Sequence, residues 1–242
     1  MPRRKAQFDL PGVIPSRQQR SRETTLALLE AGPALLCTRS LAELSIGDLC
    51  AHIGATVGAF YSRFESKEAY FNALLALTLQ DGQVQLSKMP EPGPAPEAGL
   101  AERCHLLVGG VVSWMRSHKG VLRAALQQTD SRPNQWTGFK ALAQALSQRA
   151  TLVLQPAMPG SSAPRKAGER RAREPDLART IAFGFQVVLG TLVNAILNDP
   201  GPLSIDDDEI IGRLGHCLFL MLRSVQEVAP ARRKARPRRR TQ

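Results

Sequence analysis

The sequence predicts an all-α fold, and two observations carry that reading. Apolar residues recur at three- and four-residue spacing along most of the chain, the period of a helix face. Helix punctuation brackets these stretches: Ser45 and Thr56 stand where N-caps belong, and Gly54 where a helix ends.

The most informative stretch runs from Ser45 to Lys67 and reads S-I-G-D-L-C-A-H-I-G-A-T-V-G-A-F-Y-S-R-F-E-S-K. Ile46, Leu49, Cys50 and Ile53 share one helical face. The Ser45 hydroxyl can accept from an orphan backbone N–H, and Asp48 suits the positive end of the helix dipole. Gly54 tolerates the left-handed conformation that closes a helix, and Thr56 can cap the next. Gly58 and Ala59 leave a surface without bulk, so the backbone can come close to phosphate. Phe60 and Phe64, four apart, point inward, while Tyr61, Ser62 and Arg63 are expected to face elsewhere. Ser66, with Lys67, opens a third segment. The pattern is that of a helix-turn-helix, which sets one short helix in the DNA major groove. That helix is expected over Thr56 to Arg63, with Thr56, Val57, Gly58, Ala59, Tyr61 and Ser62 entering or edging the groove. Ser45, Tyr61 and Lys67 are the expected phosphate contacts.

The same stretch resembles the DNA-binding domain of the TetR/AcrR (tetracycline-repressor) family of bacterial transcription regulators. The resemblance rests on Ile53-Gly54-Ala55-Thr56, followed by Gly58-Ala59-Phe60-Tyr61-Ser62-Arg63-Phe64-Glu65-Ser66-Lys67-Glu68. It implies an N-terminal three-helix DNA-binding domain followed by a helical ligand-binding and dimerisation domain. It also implies a homodimer, a double-stranded DNA operator and a small-molecule effector. The chain departs from the family pattern at Gly32-Pro33 in the first helix, at Leu36 where a Phe usually stands, and at Ser40 and Leu41.

Length and charge agree with such a protein. At 242 residues the chain can bury a full core. Its net charge of +11 favours a polyanionic partner. No run of about 18 apolar residues is apparent, and the N-terminus lacks the apolar segment of a secretory signal. A cytoplasmic protein without a membrane partner is expected. Cys37, Cys50, Cys104 and Cys217 have no C-x-x-C spacing, and Cys50 and Cys217 are expected in the core.

Residues 1–20 carry Arg3, Arg4, Lys5, Arg17 and Arg20 among Pro2, Pro11 and Pro15, and read as a disordered basic arm. Such an arm either follows DNA phosphates or the minor groove, or is a solvated tail. The first helix is expected from Ser21 to Leu36 or Cys37, kinked near Glu30 by Pro33. The DNA-binding domain is placed at 21–66 and the second domain at 67–229. Within the latter, helices are expected at 66–86, 100–117, 120–128, 136–154, 176–197 and 206–228. A proline-rich connector is expected at 89–99 and a disordered basic loop at 156–175. Residues 230–242 form a basic tail that either adds DNA affinity or is solvated.

The last two helices are apolar around more than one face, which calls for a second layer of partners. The family resemblance supplies one, a four-helix dimer interface, with Leu218 expected to point outward in it. Gly184, Gly190, Gly212 and Gly215 would allow close approach. Trp114, Met115, Phe139 and Phe183 are candidate ligand-lining residues for a hydrophobic or amphipathic effector, with plain core packing as the alternative for each. Asp206-Asp207-Asp208 reads as a helix-start cluster rather than a metal site. No catalytic constellation, cofactor motif or metal-ligand spacing is present in the sequence. The function expected is a ligand-responsive DNA-binding regulator, most simply a repressor. The alternatives are a non-specific nucleoid-type DNA binder and an enzyme built on the C-terminal helices.

Overall fold

The computed structural model describes residues 10–15, 19–89, 98–128, 136–158, 167–199 and 201–231. Among the described residues every regular element is a helix and no strand occurs. The order is α1 (Gln19–Thr38), α2 (Ile46–His52), α3 (Val57–Tyr61), α4 (Lys67–Ser87), α5 (Leu100–Ser117), α6 (Lys119–Gln127), α7 (Trp136–Leu154), α8 (Ala167–Asn198) and α9 (Glu209–Ala231). A 3-10 turn, Gln155–Ala157, comes directly after α7. The chain divides into two units: Met1–Ser87 with Met115–Leu142, and Lys88–Trp114 with Ala143–Gln242. The boundary expected at residue 66 falls at the start of α4, which belongs to the first unit.

In the first unit, α1 runs unbroken through Pro33. The Gly32-Pro33 pair lies where other elements come closest. Gly32 leaves room for the Tyr70 hydroxyl, and α6 crosses with Gly120 against the backbone at Pro33 and Cys37. A side chain at either glycine would collide there, so bare backbone lets these helices approach. Arg123 of α6 donates to the carbonyls of Leu36 at 2.9 Å and Arg39 at 3.2 Å. It thereby satisfies carbonyls at the end of α1, which has no basic residue of its own in its last turn. The core gathers Leu28, Leu36, Leu49, Phe60, Phe64, Tyr70 and Phe71 with Val121 and Ala125. Phe64 stacks at 5.2 Å on Phe60 and edge-on at 5.1 Å to Tyr70, geometries that favour aromatic contact.

In the second unit, α8 and α9 pack on one another. Ile181, Phe185, Val188 and Leu192 face inward from α8, and Ile210, Leu214, Leu218 and Leu222 from α9, each set at helical spacing. Gly184 receives Leu218, and Gly215 lies against His105. Arg103 is buried, with Nε donating to Ala98 O at 3.0 Å and Nη1 to Val153 O at 2.8 Å. Beside it in sequence, burial pushes the Cys104 thiol up to about 12.

Several expectations are corrected. α8 begins at Ala167, inside the stretch expected to be a loop; the run A-G-E-R-R-A-R-E is rich in good helix formers, and Pro175 does not interrupt it. α9 begins at Glu209 rather than Asp206. Asp206 to Asp208 form the turn before it, where the Asp207 carboxylate accepts the Ser204 N–H at 2.6 Å. Leu218 is 0% exposed and points inward, whereas its neighbour but one, Leu220, is 48% exposed. Cys217 is exposed rather than in the core. The 23-residue segment Asp176–Asn198 is long and apolar enough to cross a membrane by length and composition, contrary to the expectation of no such run; its inward face is taken up by α9. Most of the connector at 89–99, the loop at 159–166 and the tail after residue 231 lie outside the described residues.

Candidate nucleic-acid interface

Each turn of the helix-turn-helix is made by the residue whose chemistry suits it. Ser45 is extended, and its Oγ accepts the Asp48 N–H at 2.9 Å, starting α2. Gly54 takes φ +68°, the left-handed conformation that separates α2 from the turn leading into α3. Thr56 repeats the cap for α3, its Oγ1 accepting the Ala59 N–H at 3.1 Å. Phe60 and Phe64, both fully buried, anchor the inner side of α3 in the core of the first unit. Between them the backbone turns out of the helix at Ser62, so α3 is shorter at its end than the Thr56–Arg63 span expected.

The outer side of α3 is small and uncharged. Val57 is 46% exposed and Tyr61 50% exposed. Gly58 and Thr56 are also exposed and Ala59 half-buried. The Thr56 and Ser45 hydroxyls accept cap bonds and keep their hydrogens for an outside acceptor. Ser62 is exposed, but its Oγ donates to Ala59 O at 3.0 Å and accepts from Arg63 at 2.8 Å. Its donor is therefore already taken up.

Two sequence expectations change in meaning here. Arg63, expected to face elsewhere than the inward stripe of Phe60 and Phe64, is 8% exposed. Its Nε donates to Ser21 O at 3.1 Å, and its Nη1 to Ser62 Oγ at 2.8 Å and to Ala59 O. The guanidinium fork thus joins the Ala59 carbonyl of the short helix to the Ser21 carbonyl of α1. Lys67, an expected phosphate contact, is half-buried and donates to Ala42 O at 3.2 Å and Leu44 O at 3.1 Å. It braces the loop before α2 with at most one N–H left for a ligand. Nearby, Ser40 and Glu43 make a reciprocal cap, with Ser40 N–H donating to Glu43 at 2.8 Å. The Ser40 N–H and hydroxyl hold the Glu43 carboxyl below its usual range.

The candidate effector residues are not of one kind. Trp114 is half-buried and lies in the second unit, while Met115 is buried and falls in the first. Phe139 packs against the core of the first unit and lies 5.3 Å from Trp136. Phe183, expected to line an interior cavity, is 54% exposed on α8. Among the described residues no group of His, Cys, Asp or Glu is placed to hold a metal ion.

Residues 28–74 match the family described as bacterial regulatory proteins, tetR family. The span contains α2, α3, most of α1 and the first part of α4. A solved tetR-family transcriptional regulator from Streptomyces coelicolor aligns over 87% of this chain and 83% of its own, with a TM-score of 0.56 and 16% identity. No curated protein matches the chain. The family match places the helix-turn-helix among DNA-binding regulators of transcription. Residues 28–74 thus carry the N-terminal domain of the tetR family of bacterial regulatory proteins, on a chain that shares the fold of a solved tetR-family regulator.

Proposed function

We propose that the protein is a homodimeric repressor that leaves its operator when a small hydrophobic or amphipathic molecule binds. The observation that carries the DNA half of this reading is α3 itself. It is capped by Thr56, held from behind by Phe60 and Arg63, and presents only Val57, Gly58, Ala59 and Tyr61 outward. A duplex is then met by Thr56, Val57, Gly58, Ala59 and Ser62 at the groove and by Ser45, Tyr61 and the remaining Lys67 donor at phosphates.

Dimerisation is supported by the outer faces of α8 and α9. Phe183, Val187, Leu197 and Leu220 are exposed there, and nothing lies within 4 Å of a Cβ built at Gly190 or Gly212. A two-fold pairing through these faces would cover them and set two α3 helices for half-sites one DNA turn apart, about 34–36 Å. An effector that prefers a different spacing lowers operator affinity by its differential binding to the two states. Trp114 is the retained candidate for effector contact, while Phe183 is reassigned to the dimer face. The division into a DNA-binding domain at 21–66 and an effector and dimerisation domain at 67–229 belongs to the same reading, as does residence in the cytoplasm.

Footprinting on the DNA beside its own gene tests the reading. A protected block of two half-sites one turn apart supports a repressor. Uniform protection of any duplex supports a nucleoid-type binder instead, and the net charge of +11 keeps that alternative in play.

A further inference from the structure

The helix offered to the groove is too short to hold its own place. α3 spans five residues, Val57–Tyr61, and isolated helices shorter than about 12–15 residues are marginal in water. Its position comes from ties to the rest of the first unit. Phe60 and Phe64 bury their rings behind it, but apolar burial is non-directional and fixes the depth of the helix better than its angle. The directional ties come from Arg63.

Arg63 joins α3 to α1 and to residues 10–15. Its Nε donates to Ser21 O at 3.1 Å, in the first turn of α1, while Nη1 donates back to Ala59 O and to Ser62 Oγ at 2.8 Å. Its own carbonyl accepts the Ile14 N–H at 2.7 Å, from a segment whose Leu10 and Val13 pack against the core. A planar guanidinium meets such acceptors in fixed directions, which an ammonium on a flexible stem does not. With Nε and both Nη1 hydrogens spent, and the residue buried, little of the side chain is left for a duplex.

The carbonyls that Arg63 holds have other donors. Ser21 O also accepts the Thr25 hydroxyl at 2.9 Å, and Ala59 O the Ser62 hydroxyl at 3.0 Å. Removing the guanidinium leaves neither carbonyl orphaned, so the penalty for an unsatisfied buried group does not arise. What is lost is the tie between α3 and α1.

We propose that Arg63 is a positioning residue for base reading. It sets the angle of α3 on α1, and thereby the discrimination between sequences, without touching DNA. The proposal rests on the DNA-binding reading above. Base edges carry the sequence and are met only in register, whereas phosphate contacts carry no sequence information directly. A loosened α3 therefore loses preference among sequences before it loses affinity for duplex in general.

Salt titrations of the full-length protein on the footprinted fragment and on a mixed-sequence duplex of the same length test this. Arg63→Met keeps the apolar stem and removes the fork. It should cut the preference for the fragment by about tenfold, comparable to one mismatched base pair, and leave the salt dependence on the mixed duplex unchanged. Arg63→Lys, the milder change for the fold, keeps the charge without the fork and should lose preference in the same way. In the free protein, hydrogen exchange at the amides of Phe60, Ser62 and Phe64, which bond back into α3 and its cap, should quicken in both variants while α4 exchanges as before. Wild-type preference in either variant would overturn the proposal. A salt slope flattened by about 0.9 in Arg63→Met would overturn it too, by making Arg63 a phosphate contact. A wild-type protein that binds both duplexes equally would remove the regulator reading, and unchanged exchange at α3 would separately remove the tie.

Discussion

Tyr70 donates its phenolic hydrogen to the backbone carbonyl of Leu28 across 2.7 Å, in a site where Gly32 leaves room for the hydroxyl. The bond fastens α4 to α1 behind the helix-turn-helix. Tyr70→Phe should cost about 1 kcal/mol, the usual net worth of a buried hydrogen bond. Burial also raises the Tyr70 pKa above its ordinary 10.0. Above that value the unfolded chain releases a proton that the native chain retains, so the native state loses stability as pH rises. The stability gap between wild type and Tyr70→Phe, from urea unfolding, should therefore be widest at neutral pH and shrink above about pH 10. A gap independent of pH would contradict the burial argument.

Gly120 faces the backbone of α1 at Pro33 and Cys37. Gly120→Ala should push α6 off α1 and destabilise the protein by about 1–3 kcal/mol, the range for overpacking. Gly110 on α5 provides the contrast, since nothing lies within 4 Å of an added Cβ. Gly110→Ala should be neutral or gain up to about 1 kcal/mol from helix propensity. Equal effects at the two positions would show that α6 does not rest on α1 in this way.

Tyr61 is half exposed at the outer end of α3, edge-on to Phe60 at 5.5 Å. Tyr61→Ala should weaken operator binding severalfold, read by fluorescence anisotropy at fixed salt. Stability should move by no more than about 0.5 kcal/mol, as for most surface changes. Unchanged affinity would remove Tyr61 from the interface.

Leu218 and Leu220 separate packing from association. Leu218→Ala should cost about 2–5 kcal/mol of fold stability, as buried leucines do. Leu220→Glu should leave the fold intact and shift sedimentation toward the monomer, with weaker operator binding. A wild-type monomer at micromolar concentration would end the dimer reading and the half-site spacing with it.

Much of the fold was legible because the residues concerned act locally. Ser45 and Thr56 act through hydroxyls that cap N–H groups three residues on, and Gly54 through its left-handed backbone, so reading them in order located α2 and α3. The starts and ends of α5 and α7 track the apolar pattern in the same way. The features that stayed hidden in the sequence depend on partners distant along the chain. Arg63 looks like a solvated arginine until Ser21, 42 residues away, is found beneath it. Leu218 and Leu220 read alike in a helix that is apolar on several sides, and the packing of α8 on α9, with Leu218 seated at Gly184, shows which is inside. Residues 10–15, expected within a disordered arm, pack Leu10 and Val13 against the core of the first unit, with Ile14 N–H donating to Arg63 O, and they had a local signal, Pro11-Gly12 between Leu10, Val13 and Ile14. The surrounding prolines and arginines outweighed it in a reading based on composition.

An uncharged α3 also limits which bases it can read. Guanine is picked out best by a bidentate arginine or lysine on O6 and N7, and the outward residues Val57, Gly58, Ala59 and Tyr61 include neither. Val57 and Ala59 offer methyl surface instead, whose counterpart in the major groove is the C5-methyl of thymine. With α3 in that groove, the centre of each half-site should favour A·T pairs. Replacing its thymines with uracil should then weaken binding, although every base-pair hydrogen bond is kept.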